Sequence, residues 1–213
     1  MTSEQRNHGG MTLANRITIL RILAVPVFIL MLVYYTQGLA SGRGEDIYRL
    51  LALGLFVAAA ATDAVDGYLA RSRHEITHLG KILDPLADKA LLLSALVLLT
   101  RPSLPALEPH IPVWFTLLVI SRDVVLILGA VIIHAVAGAV VVKPRVVGKI
   151  ATFFQMITAA WVLMQGRPGL FAIWVGIAGF FTLVSGAWYL LDGLRQLEKH
   201  SGAPKRDAAA SHD

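Results

Sequence analysis

The stretch DAVDGYLARSRHEITHLGKILDPLAD, Asp63 to Asp88, sets four aspartates into a chain that is otherwise strongly apolar. An ionised side chain at the centre of a bilayer costs about 3 kcal/mol or more, so acids among membrane segments mark a functional site by default. Long apolar runs flank the stretch on both sides. What the aspartates hold therefore depends on whether those runs cross a membrane.

They have the composition to do so. Of 213 residues, 56% are hydrophobic and 15% charged, against roughly 25% charged in a soluble domain. A helical span needs about 20 mostly apolar residues. Six segments meet that length, at 16–37, 47–70, 80–100, 112–137, 146–165 and 170–194. The breakers between them include TQGLASGRGED and RPSLPALEPHIP, whose Gly and Pro content suits connections. The expected fold is all-α: a polytopic membrane protein with six transmembrane helices in one bundle over 16–196. A cytoplasmic segment, 1–15, precedes the bundle and a disordered polar tail, 197–213, follows it. The N-terminus MTSEQRNHGG is polar, and no small-residue cleavage site follows a short apolar core, so the first run is expected to stay as a membrane helix.

Basic residues orient the bundle. Twelve lie on the side of the termini, the 2–3 loop and the 4–5 loop, including Arg71, Arg73, Lys81, Lys143, Arg145 and Lys149. Only Arg43, Arg49, Arg101 and Arg167 lie on the other. The positive-inside rule places both termini in the cytoplasm, and the acids then sit at the cytoplasmic mouth of an inner-membrane protein. The net charge of +5 is matched by anionic lipid surfaces and calls for no nucleic-acid partner. The absence of cysteine removes thiolate metal sites and disulfides.

Asp63 and Asp66 are spaced i, i+3, and Asp84 and Asp88 i, i+4, so each pair falls on one helix face. Gly67, Ala70 and Arg71 continue the Asp63 stripe, and Gly80 lies one turn before Asp84. Acids thus alternate with residues small enough for a ligand to approach the backbone. Four carboxylates this close require cations, because like charges raise one another's pKa. Hard oxygen donors suit Mg2+ or Mn2+. Two such ions, about 3.5–4 Å apart, can clamp the attacking and leaving oxygens of a phosphoryl transfer. Arg71 adds a bidentate-capable charge for a phosphate. The residues alone therefore describe a two-metal site for a diphosphate substrate.

The pattern D-x2-D-G-x2-A-R-x8-G-x3-D-x3-D runs without a gap through Asp63, Asp66, Gly67, Ala70, Arg71, Gly80, Asp84 and Asp88. It resembles the signature of the CDP-alcohol phosphatidyltransferases, membrane enzymes of phospholipid synthesis. NRITILR, with Asn15, Thr18, Arg21 and then Pro26, is similar to that family's first span. GKIATFFQ, with Gly148, Lys149, Thr152 and Gln155, is similar to its fifth. The resemblance implies transfer of a phosphatidyl group from CDP-diacylglycerol to an acceptor alcohol, with release of CMP. It implies that Asp63, Asp66 and Asp84 hold one metal and that Asp63, Asp84 and Asp88 meet the second. Asp88 would also be the catalytic base. Gly67, Ala70, Arg71 and Gly80, with Asn15 and Thr18, would bind CDP, and the enzyme would be a homodimer.

For the acceptor, Arg122 in span 4 with Arg145 and Lys149 at the start of span 5 makes a cationic set suited to a phosphorylated alcohol, and Arg21 is a further candidate. Asp123 adjoins Arg122, although neighbours at i, i+1 do not face each other on a helix. Glycerol 3-phosphate, giving phosphatidylglycerophosphate, is the expected acceptor. Phosphatidylglycerol, as in cardiolipin synthases, and an inositol phosphate are the alternatives. Phosphatidylglycerophosphate synthases usually carry a second arginine eight residues after the first, where this chain has Ala130. SRDV and KP are closer to eukaryotic-type cardiolipin synthases. A cation-coupled transporter is the alternative outside enzymes, but no repeated halves support it. Trp114, Trp161, Trp174 and Trp188 are expected at interfaces or in packing. Gly176 and Gly179 are expected where helices touch, and His74 and His78 in a solvated loop.

Overall fold

The computed structural model describes residues 13–41, 45–73, 80–100, 108–137 and 146–201, with side chains described over 19–41, 45–62, 89–100, 108–132, 135 and 146–195. Among the described residues every regular element is a helix: α1 (Leu13–Ala40), α2 (Asp46–Arg73), α3 (Gly80–Leu99), α4 (Val113–Ala137), α5 (Val146–Leu163) and α6 (Pro168–Ser201). The six expected segments are therefore six helices. Four of them contain a stretch long and apolar enough to cross a bilayer, namely Ile19–Ala40, Val113–Ile132, Val146–Leu163 and Pro168–Arg195. Leu20, Leu30, Ile127, Val131 and Phe180 are among many large apolar side chains left exposed. Apolar surface on that scale belongs against lipid, not water. The protein is an integral membrane protein with several spans.

The chain forms two compact units. The first comprises residues 1–111 and 159–171, where α1 packs against both α2 and α3. A single stripe of α1, Arg21, Ala24, Phe28, Leu32 and Tyr35, is buried. Its spacing of three and four residues is what a helix needs to keep one face turned inward. Arg49, Ala52 and Phe56 form the matching stripe of α2, and Leu91, Leu92, Ala95, Leu96 and Leu99 that of α3. Phe28 and Phe56 meet with ring centroids 5.9 Å apart. Lipid is as apolar as leucine, so close packing rather than escape from water holds these faces together. Pro26 lies inside α1 on an exposed position, a placement that membrane helices tolerate.

The end of α5 is built within this unit. Gln165 adopts φ 52°, the left-handed conformation that closes a helix. Its N–H donates to the Val162 carbonyl at 2.9 Å, and the Gly166 N–H to that of Trp161 at 3.0 Å. This is the paired bonding of a Schellman cap. A side chain at position 166 would stand 2.3 Å from the Trp161 ring, so glycine is required there. Gln165, left-handed without being glycine, gains a hydrogen bond from its Nε2 to Tyr35 Oη at 3.1 Å. Arg49 Nη1 meets the Leu163 carbonyl at 2.8 Å. α6 then begins at Pro168, where the missing N–H costs nothing.

The second unit comprises residues 112–158 and 172–213. Its inward positions are Phe115, Thr116, Val119, Arg122 and Asp123 of α4, Ala151, Gln155 and Thr158 of α5, and Val175, Ala178, Thr182 and Ser185 of α6. Phe154 stacks between Trp174 and Phe181, with centroids 6.1 Å from each. Gly179 is buried, and a Cβ there would lie 3.5 Å from the Trp114 ring, as expected of a packing glycine. Gly176 is exposed with nothing within 4 Å of a built Cβ, so its expected packing role is not met: it lies on the helix's outer face. Trp114 and Trp188 are exposed, whereas Trp174 packs on Phe154.

Candidate functional site

The buried polar side chains divide unevenly. Seven of the nine described, Thr116, Arg122, Asp123, Gln155, Thr158, Thr182 and Ser185, belong to the second unit. A polar group kept from lipid needs partners of its own. Five of the seven form two clusters.

The first centres on Arg122, which is 9% exposed. Its Nη1 donates to Asp123 Oδ1 at 2.8 Å, and its Nη2 to Ser185 Oγ at 2.8 Å. Tyr189 lies beneath, with Cζ 5.8 Å from the ring centroid, within cation–π range. Gly148, two residues into α5, completes the enclosure: a Cβ there would come within 2.7 Å of Nη2. Gly186 brings the α6 backbone against the stem, its Cβ position 3.5 Å from Arg122 Cγ. Arg122 and Asp123 pair although they are adjacent in sequence. The expectation that such neighbours face apart holds for Cβ positions, but the arginine stem is long enough to wrap round the helix.

The second cluster joins Gln155, 1% exposed, to Thr182. Gln155 Nε2 donates to Thr182 Oγ1 at 2.8 Å, and Thr182 Oγ1 donates to the Ala178 carbonyl at 2.6 Å. Composition gave no sign of either linkage. Ser185 and Tyr189 were not foreseen, although Ser185-Gly186 in an apolar helix is the kind of small polar step that signals one.

Lys149 follows Gly148 directly and is exposed. Arg21 is buried, at 5% exposure, on the inward stripe of α1. Arg145, the fourth expected acceptor residue, lies outside the described residues, as do Lys143, His74 and His78.

The acidic residues lie in the first unit. α2 runs unbroken through Arg73 and α3 begins at Gly80. Asp63 and Asp66 are thus one turn apart on α2, and Asp84 and Asp88 one turn apart on α3, in the helical state their spacing presupposes. The side chains of Asp63, Asp66, Gly67, Ala70, Arg71, Gly80, Asp84 and Asp88, and those of Asn15 and Thr18 on α1, lie outside the described ones. Among the described side chains no three of His, Asp or Glu come together. The four aspartates fit a pair of hard divalent cations by donor chemistry, being oxygen ligands only, and by their helical register.

Residues 11–186 match the family model for CDP-alcohol phosphatidyltransferases. The chain is 37% identical over 159 residues to the CDP-diacylglycerol–glycerol-3-phosphate 3-phosphatidyltransferase of Bacillus subtilis, covering 73% of this chain and 78% of that one. It is 36% identical over 146 residues to a probable phosphatidylglycerophosphate synthase of Mycobacterium tuberculosis, covering 68% and 62% respectively. It is also 31% identical over 162 residues to a CMP-forming cardiolipin synthase of Streptomyces coelicolor, covering 76% and 69%. The chain belongs to the CDP-alcohol phosphatidyltransferase family and is an enzyme of phospholipid synthesis.

Proposed function

We propose that the protein transfers the phosphatidyl group of CDP-diacylglycerol to a hydroxyl of glycerol 3-phosphate, releasing CMP and forming phosphatidylglycerophosphate. The observation that carries this reading is the ungapped acid pattern, Asp63 to Asp88, within the family match and on two helices that pack against α1. Asp63, Asp66 and Asp84 would hold one Mg2+ or Mn2+, and Asp63, Asp84 and Asp88 the other. When bound, such ions neutralise the diphosphate and the departing CMP. Asp88 accepts the proton of the acceptor hydroxyl at its carboxylate. The freed oxygen bonds to the phosphorus bearing diacylglycerol, and the bond from that phosphorus to the CMP oxygen breaks. Gly67, Ala70, Arg71, Gly80, Asn15 and Thr18 hold the cytidine diphosphate. Arg21, Arg122, Arg145 and Lys149 serve the acceptor's phosphate. For Arg122 the support is a buried α4 guanidinium set against Gly148, in the first turn of α5, where the start of that helix is electropositive.

The same reading gives six spans in one bundle over 16–196, with both termini, 1–15 and 197–213, in the cytoplasm. α2 has 28 residues and α3 has 20, which at about 1.5 Å per residue is enough to cross the hydrocarbon core. A homodimer is the proposed assembly. Ala130 favours a second reading, in which phosphatidylglycerol is the acceptor and cardiolipin the product; the Streptomyces relative is named a CMP-forming cardiolipin synthase. One assay decides. Purified protein with CDP-diacylglycerol and Mg2+ is given glycerol 3-phosphate, phosphatidylglycerol or an inositol phosphate, and CMP is measured. Release with the first alone establishes the proposal. Release unaffected by chelation overturns the metal assignment.

A further inference from the structure

We propose that Ser185 is a positioning residue that sets selectivity for a phosphomonoester acceptor, by fixing the plane of the Arg122 guanidinium. The proposal rests on the acceptor role of Arg122 stated above. Asp123 alone would neutralise Arg122, and both belong to α4; neutralisation therefore accounts for neither Ser185 nor Gly148. Those two act on orientation. Ser185 draws Nη2 across to α6 at 2.8 Å, and Gly148 leaves the space, 2.7 Å from a Cβ position, into which that nitrogen fits. Tyr189 fixes the face of the group from below. Contacts from α4, α5 and α6 thus define one plane.

The chemistry of the holder matters as much as its place. A guanidinium carries five N–H donors in a planar fork. Nε is buried without a partner among the described residues. Asp123 takes one proton of Nη1 and Ser185 one of Nη2, so among the described residues one proton on each terminal nitrogen remains. Two parallel donors suit two oxygens of a phosphate. A carboxylate in place of Ser185 would compete for them and cancel the charge; a neutral hydroxyl does neither. A phosphomonoester dianion carries more charge to the guanidinium than a singly charged diester and so gains more from it.

The test is steady-state CMP release by the full-length enzyme, with glycerol 3-phosphate and CDP-diacylglycerol varied in turn. Ser185→Ala raises KM for glycerol 3-phosphate roughly tenfold, the loss expected for one hydrogen bond to a charged group. KM for CDP-diacylglycerol stays within about twofold. Ser185→Thr, which keeps the hydroxyl, restores the wild-type value. Gly148→Ala, which displaces Nη2 by another route, reproduces the Ser185→Ala effect and carries the test if that variant fails to fold. A parallel rise in both KM values, or no rescue by threonine, reduces Ser185 to a structural role and overturns the proposal. If Arg122→Ala raises KM for glycerol 3-phosphate while Ser185→Ala and Gly148→Ala do not, positioning fails and the acceptor reading stands. If Arg122→Ala leaves that KM unchanged, the acceptor reading fails with it.

Discussion

Arg49 Nη1 donates to the carbonyl of Leu163 at 2.8 Å, joining the first turn of α2 to the last turn of α5 across 114 residues of sequence. The same guanidinium pairs with Asp46 through Nε at 3.3 Å, but Asp46 is exposed and that pair contributes little. The buried bond to the carbonyl is the stronger restraint. It satisfies one of the acceptors that every helix end leaves open and sets a cation at the negative end of α5. Arg49→Met keeps the apolar stem and removes the donor. Its expected cost is about 1–3 kcal/mol, seen as a lower melting temperature of the purified protein, with CMP release at low temperature retained.

Gly166 and Gln165 predict unequal responses at neighbouring positions. Gly166→Ala places a methyl 2.3 Å from the Trp161 ring and should destabilise by about 1–3 kcal/mol. Most of that penalty should disappear when Trp161 is also replaced by alanine, because the collision is between those two groups. Gln165→Gly relieves a left-handed backbone worth about 1 kcal/mol but forfeits the bond to Tyr35. The two terms nearly cancel, and thermal melts should show little change.

Removing Asp123 should be the most damaging single change in the second unit. Asp123→Ala leaves the buried Arg122 charge without its carboxylate, for which about 3–5 kcal/mol is expected. Inorganic phosphate at millimolar concentration should raise the melting temperature of this variant more than that of the wild type, since an anion can then replace the lost partner. Equal shifts in both would count against Arg122 as a phosphate ligand.

Gln155→Leu, by contrast, should be nearly neutral for stability. The volume is similar, and Thr182 keeps its own bond to the Ala178 carbonyl. A change below about 1.5 kcal/mol is expected. If CMP release falls while the melting temperature holds, the Gln155–Thr182 linkage serves a ligand rather than the fold.

Among the aspartates, Asp88→Asn should abolish turnover while preserving CDP binding better than Asp63→Ala does. Asparagine keeps an oxygen ligand but cannot accept the proton, whereas Asp63 is proposed to meet both metals. Equal loss of binding in the two variants would remove Asp88 as the base.

The six helices were legible because apolar runs of span length have few other uses, and the matched acid pattern gave the family. Helix ends were less legible. α6 was expected to stop at 194 and continues to Ser201, because hydropathy marks the edge of the hydrocarbon while Gln, Leu, Glu and Lys extend a helix readily beyond it. α5 was expected to reach 165 and ends at Leu163, stopped by a left-handed glutamine that no composition rule favours. Arg122 was picked out by its place in an apolar run. Its partners were hidden because Ser185 and Gly148 are remote in sequence and Asp123 seemed too near. Arg49 was counted among the cations of the outer side; its burial against Leu163 depends on the fold of a segment over a hundred residues later.

The adjacency of Arg122 and Asp123 bears on biogenesis. An ion pair formed by consecutive residues needs no second helix, so α4 can leave the insertion machinery as an electrically balanced segment before α5 and α6 have been synthesised. Ser185 emerges from the ribosome some sixty residues later, when the charge has already been shielded and only its aim is left to be fixed.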